Sequence, residues 1–301
     1  MAATKLISDQ LDEAIHRLSC NDPTLTTLDL NARDVGDEGA GRLGEELAAN
    51  SNLTFLDLRS NQVGAVGAGR LARALAINST LTTLNLNSNK VGAAGVMRLA
   101  DSLTINSTLT TLILTYNQVG AAGAGRLAEA LIVNSTLTTL NLNASNVGAA
   151  GAGRLAEALT TNSTLTTLYL NSNRVGAAGA VRLAEALTIN STLSTLGLYW
   201  NQLGDEGAGR LAEALTTNFS LTEVSFDWNL NTRSFVGAHL DRNKRNLENK
   251  SASLFNMLGK MLGMLDHDEF SELASLCLDI SFEIQSPSSD QQWASCRCQA
   301  L

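Results

Sequence analysis

Apolar and polar residues follow two different patterns in turn along most of this chain. In the first, LTTLxL, leucines alternate with polar residues, which predicts a strand with one buried and one outward face. In the second, which follows a glycine-containing turn, apolar residues fall at positions i, i+3, i+4 and i+7, one face of a helix. One example of the second pattern consists of Ala124, Leu127, Ala128 and Leu131. The two patterns in turn predict an α/β fold.

The two patterns recur together every 28 residues. Residues 137–164 read LTTLNLNASNVGAAGAGRLAEALTTNST, and residues 165–192 read LTTLYLNSNRVGAAGAVRLAEALTINST. Units 1 to 7 begin at Leu25, Leu53, Leu81, Leu109, Leu137, Leu165 and Leu193, and a half unit with a strand begins at Leu221. A repeat of this length predicts a solenoid, in which each unit packs on its neighbours.

A dinucleotide-binding turn is the competing explanation for residues 123–131, GAGRLAEAL, which fit the pattern G-x-G-x-x-A. GAGRL occurs in five units, at Gly39, Gly67, Gly123, Gly151 and Gly207, while Met97 and Val181 replace its second glycine in the other two. A pyrophosphate site needs one such turn and needs that glycine. We therefore predict no cofactor. The glycines are predicted to serve the fold, Gly120 in a turn and Gly123 in a close contact between helix and sheet.

The unit as a whole reads L-x-x-L-x-L-x-x-N-x-V/L-G-x-x-G-x-x-x-L-A-x-x-L, and it resembles the leucine-rich repeat of the ribonuclease-inhibitor subfamily over residues 25–229. The resemblance implies a horseshoe with parallel strands on the concave face and helices on the convex face. It also implies that one asparagine per unit bonds neighbouring loop backbone, at Asn61, Asn89, Asn117, Asn173, Asn201 and Asn229. Arg33 and Ser145 depart from this pattern. Ser145 replaces only part of an amide's bonding, so it predicts a local weak point.

The ends of the array divide the chain into four predicted parts. Residues 1–24 are expected to form an N-terminal helical cap, residues 25–229 the array, and residues 230–285 a C-terminal helical cap. Residues 286–301 are expected to form a flexible tail. The second cap contains a methionine-rich amphipathic stretch, which either packs on the last repeat or binds a partner.

Charge and cysteine content narrow the possible partners and location. The 21 Lys and Arg against 29 Asp and Glu give a net charge of −8, which disfavours nucleic acid. Basic residues after the array alternate with acidic ones and are interpreted as a solvated helix face; they are Arg242, Lys244, Arg245 and Lys250. No apolar run predicts a transmembrane segment and no signal peptide is indicated. The four cysteines lack a regular framework, so a cytoplasmic protein with reduced thiols is predicted.

Catalytic and metal-binding patterns are missing from the sequence. The three histidines, His16, His239 and His267, are far apart, and no nucleophile or carboxylate motif accompanies them. Cys296 and Cys298 lack a second pair, so a structural metal site is not expected. The sequence therefore predicts that the protein is not an enzyme.

A binding surface is expected at the outward strand positions, where the repeat does not dictate the residue. These positions hold all three tyrosines and two of the three tryptophans. The predicted partner-binding residues are Tyr116, Tyr169, Tyr199, Trp200, Asp227 and Trp228. Exposed aromatic clusters commonly anchor protein interfaces. The alternative is that these aromatics cover the end of the array against the C-terminal segment.

The function that the sequence favours is a non-catalytic module that binds a protein partner on the concave face. Similar arrays occur in ribonuclease inhibitors, immune sensors and secreted effectors of intracellular bacteria, and the near-identical units favour an effector delivered into a host cell or a lineage-specific expansion. A small-GTPase regulator resembling the Ran GTPase-activating proteins is a second possibility. A membrane-tethered adaptor is a third, since Cys298 begins a C-a-a-X prenylation pattern and Cys296 could carry a second lipid.

Overall fold

The computed structural model describes residues 2–226 and 236–251, with side chains from residue 10 onward. Its helices are α1 (Ala2–Ser19), α2 (Gly36–Leu47), α3 (Ala65–Leu75), α4 (Gly92–Leu103), α5 (Gly120–Val133), α6 (Gly148–Leu159), α7 (Gly176–Leu187), α8 (Gly204–Ala214) and α9 (236–251). Its strands are β1 (Thr27–Asp29), β2 (Phe55–Asp57), β3 (Thr83–Asn85), β4 (Thr111–Ile113), β5 (Thr139–Asn141), β6 (Thr167–Tyr169), β7 (Thr195–Gly197) and β8 (Glu223–Ser225).

The strands form one parallel sheet in which each strand pairs with the strand of the next unit, in the order β1 to β8. Every pairing joins residues 28 positions apart, as Leu84 pairs with Leu112 and Leu112 with Leu140. Within β4, Leu112 is fully buried while Thr111 and Ile113 are half-buried. The outward and inward positions therefore stack in columns across the sheet, and the predicted α/β solenoid is confirmed.

The core between the sheet and the helices is one continuous cluster of leucine, valine and alanine. In α5 the buried face consists of small residues and leucines, including all four of the predicted helical face. The opposite faces of the helices carry exposed ion pairs, such as that of Arg154 with Glu157 in α6, 3.1 Å apart. The 3.6-residue pattern thus identifies which side of each helix meets the sheet.

The first glycine of GAGRL packs against the neighbouring helix. A Cβ built on Gly123 would lie 2.9 Å from Val119 Cγ1 in its own turn and 3.3 Å from Val96 Cγ1 in α4. The predicted contact between helix and sheet is therefore wrong, because the first turn of each helix faces the helix of the preceding unit. The turn glycine is predicted correctly, since Gly120 has a φ of +66°.

The second glycine of GAGRL has more room in units 2, 4, 5 and 7. A Cβ on Gly153 would meet nothing closer than Arg182 Cγ at 3.9 Å. This space explains why Met97 and Val181 are accepted at the same position in units 3 and 6.

A ladder of asparagine side chains joins the loops that follow the strands. Asn173 is fully buried, and its Oδ1 accepts bonds from Ser145 N at 2.9 Å and Val147 N at 3.1 Å. Its Nδ2 donates to Leu142 O at 2.7 Å and to Asn171 O at 3.1 Å. Each such amide satisfies backbone groups in two units that water cannot reach.

Ser145 makes part of these bonds, as the sequence predicts. Its Oγ donates to Leu114 O at 2.8 Å and to Asn143 O at 3.1 Å, and it accepts from Asn117 N at 3.3 Å. In the other described rungs, a valine N–H bonds the amide oxygen, as Val91 N does at 3.2 Å. The described part of the chain shows no such bond from Val119 N to Ser145. Lower local stability at this rung stays a prediction.

A second asparagine ladder runs along the loops that follow the helices. Asn218, for example, donates through Nδ2 to Leu187 O at 2.9 Å and to Asn190 O at 3.0 Å. The other members are Asn50, Asn78, Asn106, Asn134, Asn162 and Asn190, all buried. The N-S-T triplets of the sequence are thus structural turns whose amide nitrogens already donate to backbone carbonyls.

Helix α9 completes this second ladder at its last described rung. The Arg242 guanidinium donates to Leu215 O and Asn218 O, both at 2.9 Å, and lies 4.2 Å from the centroid of the Phe219 ring. Asn243 donates to Asn218 O at 3.1 Å and Leu221 O at 2.7 Å. Leu215 O and Asn218 O are the acceptors that the asparagine of a further unit would bond. The interpretation of Arg242 as part of a solvated face is therefore wrong.

The chain divides into two compact units, residues 1–243 and 244–301. The first contains the whole described array. Only residues 244–251 of the second are described, and they are the end of α9, with Lys244, Arg245 and Lys250 exposed. Most of the predicted C-terminal cap and all of the predicted tail lie outside the described residues. None of the described helices has the length and apolar character needed to span a bilayer.

Candidate functional site

Three columns of outward residues cross the sheet at and just after the strands, and we call this surface the strand face. The first column is Asp29, Asp57, Asn85, Ile113, Asn141, Tyr169, Gly197 and Ser225. The second is Asn31, Arg59, Asn87, Thr115, Asn143, Asn171 and Tyr199. The third is Ala32, Ser60, Ser88, Tyr116, Ala144, Ser172 and Trp200.

In four units the first column has a structural role. The side-chain oxygen of Asn85 accepts a bond from Asn87 N at 3.0 Å, and Asn141 accepts one from Asn143 N at 3.0 Å. Asp29 and Asp57 accept the same bond in units 1 and 2. An aspartate or asparagine here therefore holds the loop after the strand, and it does not by itself indicate a binding site.

Units 6 and 7 replace this bond with another. Tyr169 and Gly197 occupy the first column and cannot accept it, so the loop N–H groups bond to the preceding unit instead. Asn143 Oδ1 accepts from Asn171 N at 2.8 Å, and Asn171 Oδ1 accepts from Tyr199 N at 2.7 Å. The loop N–H groups of units 6 and 7 therefore keep a hydrogen-bond acceptor. The first-column positions of these two units, 169 and 197, can hold residues that do not accept this bond.

The ring of Tyr169 occupies the space above Gly197. A Cβ built on Gly197 would lie 2.9 Å from Tyr169 Cδ1 and 3.0 Å from Asn171 Nδ2. Any larger residue at 197 would therefore displace the ring. Burial raises the pKa of the Tyr169 hydroxyl, and the nearby Glu223 carboxylate adds to this. Tyr169, Gly197, Tyr199 and Trp200 together are called the aromatic platform below.

The two other aromatics of the platform are exposed, Tyr199 by 44% and Trp200 by 67%. Trp200 has a φ of +56°, in the left-handed region that bulky residues rarely adopt. The same column position is also left-handed in the other units, where small residues usually occupy it; Ser60, Ser88 and Ser172 are examples. A large, exposed aromatic side chain at this backbone position makes Trp200 a candidate for a functional role.

Tyr116 lies in the same column but apart from the platform. It is 61% exposed and has a φ of +55°. Three strand spacings separate its unit from that of Trp200, about 14 Å at the usual spacing of strands. The structure thus brings together Tyr169, Tyr199 and Trp200, whereas Asp227 and Trp228 lie outside the described residues.

The other end of the strand face carries a carboxylate that is already neutralised. Asp57 Oδ2 lies 2.8 Å from Arg59 Nε and accepts a bond from Asn85 Nδ2 at 3.2 Å. Asp57 is buried, and this burial raises the pKa of its carboxyl against the opposing effect of Arg59. The pair is self-contained and leaves little charge for a partner.

Within residues 2–226 and 236–251, no group of three or more His, Cys, Asp and Glu side chains could hold a metal ion. His267, Cys296 and Cys298 lie outside those ranges. The structure therefore does not test the prediction of a lipid anchor at the two cysteines.

The sequence predicts the aromatic residues of the platform. It does not predict the part played by Gly197 or the altered hydrogen bonds of Asn143 and Asn171. The signal was present in the first column, where asparagine or aspartate gives way to tyrosine and glycine in adjacent units. Its meaning depends on knowing that this column normally bonds the loop, which only the structure shows.

Two family models match parts of the chain. Residues 8–126 match the TMOD/LMOD leucine-rich domain. Residues 133–156, 161–184 and 190–212 match the leucine-rich repeat. The presence of leucine-rich repeats is therefore confirmed, while the ribonuclease-inhibitor subfamily stays a prediction.

Two solved structures are similar to most of the chain at low identity. One, leiomodin-1 actin-binding site 2, is 17% identical, covers 82% of this chain and 96% of its own, and has a TM-score of 0.31. The tropomodulin C-terminal domain of Caenorhabditis elegans is 15% identical, covers 81% and 98%, and has a TM-score of 0.27. Likeness at this level says nothing about the partner of this chain. No curated protein gives a significant match.

Proposed function

We propose that this chain of leucine-rich repeats is a non-catalytic module that binds a protein partner on the strand face, with the aromatic platform as its anchor. One observation carries the proposal. Units 6 and 7 together place three aromatic residues on the strand face, the half-buried Tyr169 and the exposed Tyr199 and Trp200, and alternative hydrogen bonds keep the loop backbone satisfied around them.

The chemistry of these side chains suits an interface. Tyrosine and tryptophan offer a large contact area and lose little conformational freedom on binding, because each has only two rotatable side-chain bonds. The half-buried Tyr169 is held over Gly197, so part of the contact surface is ordered before a partner arrives. Anchors of this kind contribute about 2 kcal/mol or more each to protein interfaces.

Replacing Trp200 with serine is expected to weaken partner binding strongly and leave the fold intact. Serine occupies the same left-handed position in three other units, so Trp200→Ser introduces a residue that the loop already accepts. Loss of one central anchor weakens binding by about 30-fold or more. The measurement is affinity capture from eukaryotic cell lysate with the full chain, read by mass spectrometry beside the midpoint of thermal unfolding.

A matched control removes an exposed apolar residue elsewhere. Ile189, at the loop after α7, is 65% exposed, and threonine occupies its position in units 5 and 7. Ile189→Thr should capture the same proteins as the wild type. A protein retained equally by wild type, Trp200→Ser and Ile189→Thr would place its binding site outside the platform and count against the proposal.

The GTPase regulator, the host-delivered effector, the cytoplasmic location and the lipid-anchored adaptor stay predictions, and no described residue is assigned to them.

A further inference from the structure

Among the described residues of β5 to β8 and of the strand-face columns that follow these strands, one side chain, that of Glu223, is charged. Glu223 lies in β8 two residues before Ser225, so it projects on the same face as the first column. Its strand partner in β7 is Thr195, and the corresponding residues of β5 and β6 are also threonine. The loops that follow β5, β6 and β7 contain one basic residue, Arg174, which lies two residues beyond the third column and is exposed.

Glu223 differs from Asp57, the buried carboxylate at the other end of the face. Asp57 is paired with Arg59 at 2.8 Å. Glu223 is exposed, and within the described part of the chain it forms no ion pair. A carboxylate that is exposed and unpaired keeps its capacity to bind a cation from outside.

Glu223 and the aromatic platform belong to one surface. The Tyr169 ring extends over Gly197 in β7, which is the strand between β6 and β8. Glu223 lies in β8, which pairs with the strand that holds Gly197, and its charge adds to the raised pKa of the Tyr169 hydroxyl. An aromatic face beside a carboxylate is complementary to a cation, which the ring attracts through its quadrupole and the carboxylate through its charge.

We propose that the aromatic platform recognises a positively charged segment of the partner, with an arginine or lysine side chain that lies over Tyr169 and pairs with Glu223. This inference rests on the proposed function and specifies the chemistry of the partner. The net charge of −8 favours the approach of such a segment over an acidic one.

A peptide selection tests this proposal on the full chain. A random 12-residue display library is selected against wild type, Trp200→Ser, Glu223→Gln and Glu213→Gln. Glu213 is exposed on α8, where it pairs with Arg210 at 2.8 Å, so Glu213→Gln changes the net charge equally but away from the strand face. Wild type and Glu213→Gln are expected to enrich peptides rich in arginine and lysine, and Glu223→Gln is expected to lose that preference.

The best wild-type peptide is then made with its arginine replaced by citrulline, which keeps the shape and removes the charge. The arginine form should bind roughly tenfold tighter than the citrulline form to wild type, and by a clearly smaller factor to Glu223→Gln, where only the Tyr169 ring attracts the cation. Peptides that depend on Trp200 but show no basic preference would overturn this inference and leave the proposed function standing. No Trp200-dependent peptide would contradict both.

Discussion

Replacing Asn173 with alanine is expected to lower the free energy of unfolding by about 3 kcal/mol. The Asn173 amide is fully buried and bonds four backbone groups, the N–H of Ser145 and Val147 and the carbonyls of Leu142 and Asn171. Alanine provides no partner for any of them, and buried polar groups without partners are strongly destabilising. The measurement is denaturant unfolding followed by circular dichroism.

Hydrogen exchange locates the same effect. The Ser145 and Val147 amides should exchange faster in Asn173→Ala, while amides of units 1 and 2 keep their rates. The converse change, Ser145→Asn, should stabilise by about 1 kcal/mol and slow the exchange of Val119, because it supplies the bond that the serine lacks. An Asn173→Ala protein as stable as the wild type would show that the ladder does not hold the loops together.

Replacing Gly151 with alanine is expected to destabilise the protein by about 2 kcal/mol, whereas Gly153→Ala should be neutral or stabilise it by up to about 1 kcal/mol. Both glycines lie in α6, two residues apart. A Cβ on Gly151 would lie 2.8 Å from Val147 Cγ1 and 3.0 Å from Ala124 Cβ in the neighbouring helix. A Cβ on Gly153 would approach nothing closer than 3.9 Å.

The comparison is read from thermal and denaturant unfolding of the two variants under identical conditions. The helix gains about the same amount from alanine at either position, so the difference between the variants reports the packing alone. A larger loss from Gly153→Ala than from Gly151→Ala would contradict the packing role of the first glycine. Such a result would reopen the question of why GAGRL resembles a phosphate-binding turn.

Most of the array could be predicted from the sequence because the signals lie within one unit. The alternation in LTTLNL and the spacing of Ala124 and Leu127 specify a strand and a helix, and their recurrence specifies the solenoid. The turn role of Gly120 follows equally from one unit, since its left-handed backbone is a local property.

The predictions that failed concern contacts between units or at the end of the array. Gly123 faces the preceding helix, and nothing within its own unit indicates how closely the two helices approach. The charged neighbours of Arg242 in the sequence predict a solvated side chain. The open carbonyls of Leu215 and Asn218, which it bonds, exist only because the regular ladder ends there.

The candidate site was predictable in its residues but less so in its arrangement. Tyr169, Tyr199 and Trp200 follow from their outward positions in the repeat. Tyr169 lies over Gly197, and Asn143 and Asn171 replace the first-column residues as acceptors for the loop N–H groups. These contacts can be predicted only when the register of three neighbouring strands is known. Tyr116 lies in the same column as Trp200 but outside the platform, because three strand spacings along the sheet separate their units.

Photo-crosslinking from the platform tests the central claim most directly. A benzophenone amino acid is placed at Tyr199 in one full-length variant and at Ile189, which is 65% exposed on another surface, in a second. Both are irradiated in eukaryotic cell lysate and analysed by mass spectrometry. We predict a protein crosslinked specifically from position 199 and not from 189. Equal crosslinking from both positions, or crosslinking from 189 alone, would contradict a binding site on the strand face.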